Sequence, residues 1–227
     1  MLLHVPAALN QSQVMECRRA LGQADWVDGR RTAGGGPVAN IKHNREISGA
    51  NPVARKLGEM IAGALSSNVI LVKRALPIRF TPPLFSCYEG GETYGTHVDD
   101  GLMQMPAPNL PLRADLAATL FISSPEDYDG GELTIEDMFG EQTVKLPAGD
   151  MIVYPASSLH RVQPVTRGKR LVSFFWLQSA IRSNEARMLL ASLNAGIERF
   201  LQVAPNDEGV MHLMGVYNNL LRMWSEN

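Results

Sequence analysis

The sequence predicts an α+β protein in which an all-β sandwich or barrel is flanked by helices at both ends. Three observations predict it. From about Leu76 to Gln178, short apolar or alternating runs (LFSCY, LAATLFIS, GELTIED, QTVKLP, DMIVYP and RLVSFFWLQ) are separated by Pro, Gly and Asp. That is the texture of half-buried strands joined by tight turns. Turn signals fall between the runs at Glu89-Gly90-Gly91, Asp129-Gly130-Gly131 and Pro147-Ala148-Gly149-Asp150. On either side of this region the apolar residues recur at helical spacing instead.

The elements follow in order. Asn10-Gln11-Ser12-Gln13 can form a capping box ahead of a helix over Val14 to Leu21. Asn51-Pro52 sets a capping residue before a proline suited to a first helical turn, and Leu57, Met60, Ile61, Ala64 and Leu65 follow at helical spacing. Between them RTAGGGPVAN, residues 31–40, reads as a loop or mobile turn. After Ser179, Leu189, Leu193, Ile197 and Phe200 form one stripe, and Leu213, Met214, Tyr217, Leu220, Leu221 and Trp224 another. Pro205-Asn206-Asp207 separates and caps the two. The expected division is a helical support over 1–75, a β-core over 76–180 and a helical appendage over 181–227.

Composition narrows the function classes. With 45% hydrophobic and 19% charged residues among 227, the chain is expected to fold throughout. Net charge is −2 with both signs interspersed, so no basic face is available for phosphates and nucleic acid is not an expected partner. No apolar run reaches the ~20 residues needed to span a bilayer. Lone Cys17 and Cys87 do not make a disulfide scaffold, and cytoplasmic localisation is expected.

Chemistry is expected where the histidines meet the β region. Of five histidines, His97 and His160 lie there. In Tyr94-Gly95-Thr96-His97-Val98-Asp99-Asp100, an extended backbone turns His97 and Asp99 to one face and Val98 and Asp100 to the other. Two imidazoles and a carboxylate on one side of a metal leave the opposite side open, as in iron(II) oxygenases. H-x-D alone is a weak signal, and His160 reads equally as a hydrogen-bonded turn residue. Arg170 opens the apolar strand of TRGKRLVSFFW; either an anion meets its fork, or it is solvated beside Arg167 and Lys169. Lys42-His43-Asn44-Arg45 reads as a solvated loop in preference to a substrate entrance. His4 and His212 carry no expected chemistry.

Taken together, Tyr88, the H-x-D at His97 and Asp99, His160 and the basic residue at 170 resemble the prolyl-4-hydroxylase-like branch of the 2-oxoglutarate oxygenases. More closely, YGTHVD, YDGGELTIED, KLPAGDMIVYPASSLHRVQPVTRGKR and SFFW resemble the bacterial PKHD-type hydroxylases, over nearly the whole chain. The resemblance implies a double-stranded β-helix (jelly-roll) core with His97, Asp99 and His160 as Fe(II) ligands. It further implies that Arg170 pairs with the distal carboxylate of 2-oxoglutarate, with Tyr88 and Thr119 in the same pocket. The activity implied is O2-dependent hydroxylation of a small-molecule or peptidyl substrate, releasing succinate and CO2, with L-ascorbate as a family cofactor and a link to iron uptake. A zinc hydrolase and a non-catalytic iron-sensing or ligand-binding barrel are the alternatives. The apolar tail stripe leads to the expectation of a homo-oligomer through the C-terminal helices.

Overall fold

The computed structural model describes residues 2–32, 36–106, 108, 110–137 and 140–226. The helices start where the capping residues place them. Asn10 Oδ1 accepts from the Gln13 N–H and Gln13 Oε1 accepts from the Asn10 N–H, opening α1 (Gln11–Leu21), which buries Val14, Cys17 and Leu21. Pro37–Asn40 forms a single turn, α2. Asn51 Oδ1 caps α3 (Pro52–Ser66) with Pro52 in its first turn, and α4 (Val69–Ala75) follows behind Asn68. Ser183 and Asp207 cap α5 (Asn184–Val203) and α6 (Glu208–Trp224), the two helices of the tail.

The strands form two facing antiparallel sheets. The larger runs β1 (Leu3–Val5), β14 (Met151–Pro155), β10 (Leu116–Phe121), β16 (Val165–Ser179), β6 (Leu84–Glu89), β4 (Arg45–Glu46) and β2 (Val27–Asp28); β5 (Pro77–Phe80) and β11 (Tyr128–Gly130) also pair with β16. The smaller runs β13 (Gly140–Val144), β12 (Leu133–Asp137), β15 (His160–Val162), β7 (Thr93–His97) and β3 (Lys42–His43), while β8 (Leu102–Met103) and β9 (Leu112–Arg113) make a separate ribbon. This is the jelly-roll core expected from the sequence.

Strand alternation splits the interior in two. Leu116, Ala118, Leu120, Met151, Val153, Phe175 and Leu177 point to the helices and pack with Cys17, Leu57, Ile61 and Leu65. Their neighbours Ala117, Phe121, Ile152, Tyr154 and Val172 point the other way and meet Leu133, Ile135, Val144 and Val162 of the smaller sheet.

Several expectations need correction. Residues 1–75 are more than a helical support, because β1 pairs with β14, β4 with β6 and β3 with β7. Two-residue strands carry too little alternation to be read from sequence. Lys42 and Asn44 are each only 4% exposed, so the segment 42–45 is not a solvated loop. Of the glycine-rich stretch, Ala33-Gly34-Gly35 lies outside the described residues. No helix among the described residues is long and apolar enough to cross a membrane.

Close backbone approach holds β16, which pairs with β10, β6, β5 and β11. Gly168 has φ +72°, and a Cβ there would sit 2.0 Å from the Asp127 carbonyl oxygen, whereas at Gly90, φ +59°, it would meet nothing within 4 Å. Both alanine variants incur the left-handed backbone penalty of about 1–2 kcal/mol. Gly168→Ala is therefore expected to lower the unfolding free energy by distinctly more than Gly90→Ala in denaturant titrations. Equal losses would show that the backbone at Gly168 is not tightly packed against Asp127.

Candidate active site

His97 ends β7, His160 begins β15, and the two are register partners across the smaller sheet. Asp99 follows His97 by two residues and turns inward, while Val98 is 45% exposed and Asp100 is exposed. Asp99 Oδ1 lies 3.8 Å from His97 Nε2 and 3.7 Å from His160 Nε2, too far for hydrogen bonds. Ligand atoms of all three residues fall within 4.8 Å of one another.

Each member is aimed by a hydrogen bond on its far side. His97 Nδ1 lies 2.8 Å from Gly95 O and His160 Nδ1 3.0 Å from Ser158 O. Carbonyls accept, so each Nδ1 carries the proton and each Nε2 lone pair is free to face the centre. Trp176 Nε1 donates to Asp99 Oδ2 at 2.8 Å, which leaves Oδ1 facing the same centre as the two imidazole Nε2 atoms. Tyr94 stacks on His97 at 3.7 Å between centroids, and Tyr154 meets His160 edge-on at 5.2 Å. Burial, followed by the nearby His160, pushes the His97 imidazole down to about 4. Burial also pushes the Asp99 carboxyl above the usual carboxylate range. A cluster in which burial disfavours both the His97 imidazolium and the Asp99 carboxylate fits a divalent cation, which offsets the cost of the buried carboxylate.

Arg170 is the second centre. It is the register partner of Tyr88 and 1% exposed, while Arg167 and Lys169 beside it are exposed. Its guanidinium lies 5.2 Å from the Tyr88 ring centroid and 5.6 Å from that of Phe121. Its Nε has no hydrogen-bond partner, and no ion pair among the described residues includes it. Gly131 makes room for its stem, since a Cβ there would sit 3.0 Å from Arg170 Cδ. A buried guanidinium without a carboxylate fits a ligand that brings one.

The two centres share a cavity of about 140 Å³, lined also by Tyr88, Thr119, Tyr154 and Trp176. All six expected site residues are thus brought together. The Tyr88 hydroxyl, pushed up to about 12 by burial, has Asn44 and Ser86 in hydrogen-bonding reach, so its ring, not its hydroxyl, faces Arg170. Thr119 reaches the buried Tyr154 hydroxyl. Tyr94, Tyr154 and Trp176 were not expected here. Parity could have found Trp176, six residues on from Arg170 along one strand and therefore on its face.

Comparison with known proteins agrees with this geometry. Residues 83–178 match the 2OG-Fe(II) oxygenase superfamily and residues 184–226 the PKHD-type hydroxylase C-terminal domain. A curated PKHD-type hydroxylase of Herminiimonas arsenicoxydans is 50% identical over 224 residues, 99% of each chain. The chain belongs to the PKHD-type hydroxylases. It is an enzyme of the Fe(II)- and 2-oxoglutarate-dependent oxygenase class. A prolyl-4-hydroxylase from Pseudomonas putida shares the fold at TM-score 0.50 and 20% identity, over 78% of this chain and 92% of that one. HygX from Streptomyces hygroscopicus, solved with nickel, 2-oxoglutarate and hygromycin B, does so at 0.53 and 15%, over 78% and 82%.

For this PKHD-type hydroxylase, the hydrogen bonds and burial fix a protonation state. Burial opposes the imidazolium, so His97 of the metal-free protein is expected to stay neutral, with its proton on Nδ1, from pH 7 down to about 4. Long-range 1H–15N spectra of the imidazoles report both charge and tautomer. An imidazolium at pH 6, or a proton on Nε2, would contradict the arrangement.

Proposed function

We propose that His97, Asp99 and His160 hold Fe(II), that Arg170 holds the distal carboxylate of 2-oxoglutarate, and that the enzyme hydroxylates a small-molecule or peptidyl substrate. The observation that carries this reading is the buried guanidinium of Arg170, its Nε without a hydrogen-bond partner and no carboxylate beside it among the described residues, in the same cavity as the His-Asp-His cluster. A zinc hydrolase would give that charge no obligatory role, and an iron-sensing or ligand-binding barrel would retain the site without turnover.

When bound, the iron and 2-oxoglutarate supply O2 activation and the release of succinate and CO2. The chain supplies orientation. The Gly95 and Ser158 carbonyls hold the imidazole lone pairs on the metal, and Trp176 keeps Asp99 from rotating away. Arg170 would hold the distal carboxylate of the co-substrate through its guanidinium fork. Tyr88, Phe121 and Val172 keep water from the guanidinium, which strengthens that ion pair. Tyr88 and Thr119 wall the co-substrate pocket.

The finer assignments are proposals of the same reading. Ascorbate would return over-oxidised iron to the ferrous state, and the substrate would belong to iron uptake in the cytoplasm. Exposed Leu189, Phe200, Met211 and Met223 on the tail support a homo-oligomer formed through the C-terminal helices.

Two measurements test the division of labour. Arg170→Ala is expected to bind Fe(II) as wild type does, while 2-oxoglutarate affinity falls about a hundredfold or more, the cost of removing one partner from a buried charge pair. Anaerobic titration of iron, then of 2-oxoglutarate, separates the two; undiminished 2-oxoglutarate binding would refute the assignment. In the same titration Asp99→Asn is expected to lose iron and Trp176→Phe to weaken it about tenfold, as for other residues that orient metal ligands. Asp100→Asn, on the exposed face, is expected to leave iron affinity unchanged.

A further inference from the structure

The proposed metal and co-substrate sites leave one charged pair in the cavity wall unused. Lys42 Nζ lies 2.6 Å from Glu46 Oε1, and the two side chains are 5% and 4% exposed. The pair bridges the sheets. Lys42 on β3 is the register partner of Tyr94 on β7, and Glu46 on β4 is that of Ser86 on β6. The ammonium therefore comes from the sheet that carries the histidines, and the carboxylate joins the sheet that carries Arg170. Both residues line the cavity. A buried ion pair seldom repays its desolvation cost in stability, so its retention here calls for another role.

Bond counting shows which partner is incomplete. Glu46 Oε2 accepts from Thr32 Oγ1 at 2.6 Å, and Oε1, already on Lys42, also has Asn44 Nδ2 and Ser86 Oγ at 3.5 Å. The carboxylate is satisfied. Lys42 donates to Glu46 and, at 2.7 Å, to Thr32 Oγ1. An ammonium has three protons, and the third has no acceptor among the described residues. Its remaining neighbours are the rings of Tyr94, 5.2 Å away, and Phe174, 5.9 Å away. Tyr94 in turn stacks on His97, so the free donor stands one ring away from the metal cluster.

Charge decides what that donor accepts. Lys42 and Glu46 cancel, and ferrous iron, Asp99, Arg170 and the two carboxylates of 2-oxoglutarate cancel as well. A carboxylate brought by the substrate would add an unbalanced charge in front of Glu46, and an amine would meet an ammonium. An uncharged oxygen meets neither objection. We propose that Lys42 positions the primary substrate by donating its third proton to a neutral carbonyl oxygen; amide resonance makes the amide oxygen a stronger acceptor than a ketone or ester oxygen, which points to an amide-bearing substrate. This inference rests on the metal and 2-oxoglutarate assignments above.

The test loads the protein anaerobically with Mn(II) and 2-oxoglutarate and measures paramagnetic relaxation of the methyl protons of N-methylacetamide, acetate and methylammonium. Wild type is expected to enhance the amide probe above the two charged ones. Lys42→Met is expected to lower that enhancement about tenfold, the weight of one charge-assisted hydrogen bond. The charge-balanced Lys42→Met/Glu46→Gln variant is expected to do the same without stranding a carboxylate. The methylene protons of 2-oxoglutarate, read in the same samples, report on the metal pocket. If wild type leaves them unaffected, the metal and co-substrate assignment has failed and this inference falls with it. If they are enhanced in wild type, three results overturn the inference alone: no preference for the amide, both variants keeping it, or both variants losing 2-oxoglutarate.

Discussion

The pleat of one fifteen-residue strand, β16, is the constraint on which both interiors depend. Because consecutive side chains leave a strand on opposite faces, Phe175 and Leu177 must enter the helix-side core whenever Arg170, Val172, Phe174 and Trp176 enter the cavity. A slip of one residue would move the guanidinium into the helix-side core and the phenylalanine and leucine into the cavity. Register is held on both sides, by six partner pairs with β10 and six with β6, and by the close approach of Gly168 to Asp127. Packing and chemistry are thus specified by the same hydrogen-bond ladder.

Burial in the cavity works against its charged groups, and the site is built around that opposition. Asp99 is held away from the usual carboxylate range and His97 away from the imidazolium by the same low-dielectric surroundings. Arg170 lies against aromatic faces with its Nε unpaired. On the proposed assignment a cation beside Asp99 and a dianion beside Arg170 would each offset locally the cost that burial imposes on those groups. Ligand binding and stability are consequently linked, since whatever binds the folded state alone stabilises it.

Much of this was legible in the sequence. Parity around His97 separated Asp99 from Asp100, and capping residues marked helix starts at Asn10, Asn51 and Asp207. What escaped reading has a physical cause in each case. The strands holding Lys42 and Glu46 are two residues long, below the length at which alternation can be recognised, and a K-H-N-R string is usually a solvated one. The Lys42–Glu46 pair is local in sequence but depends on Asn44 carrying the chain from one sheet to the other, a tertiary event. Nothing in the local sequence separates Tyr94 or Tyr154 from an ordinary strand aromatic, and their contact with the histidines follows from tertiary packing.

The tail ends where it starts. Ser225 bridges to Ile181, the Glu226 N–H donates to the Ala180 carbonyl, and Glu226 pairs with Arg113. Arg187 meanwhile clamps the Ile181 and Arg182 carbonyls. Ser225 and Glu226 are thus stitched to the exit of β16, so the two helices form a closed stirrup whose far bend, Ala204 to Asp207, bears on no part of the cavity. Lengthening that bend costs only the slow, logarithmic increase of loop entropy. An insertion at that bend is therefore absorbed by the appendage while the strand that aims Arg170 and Trp176 stays where it is.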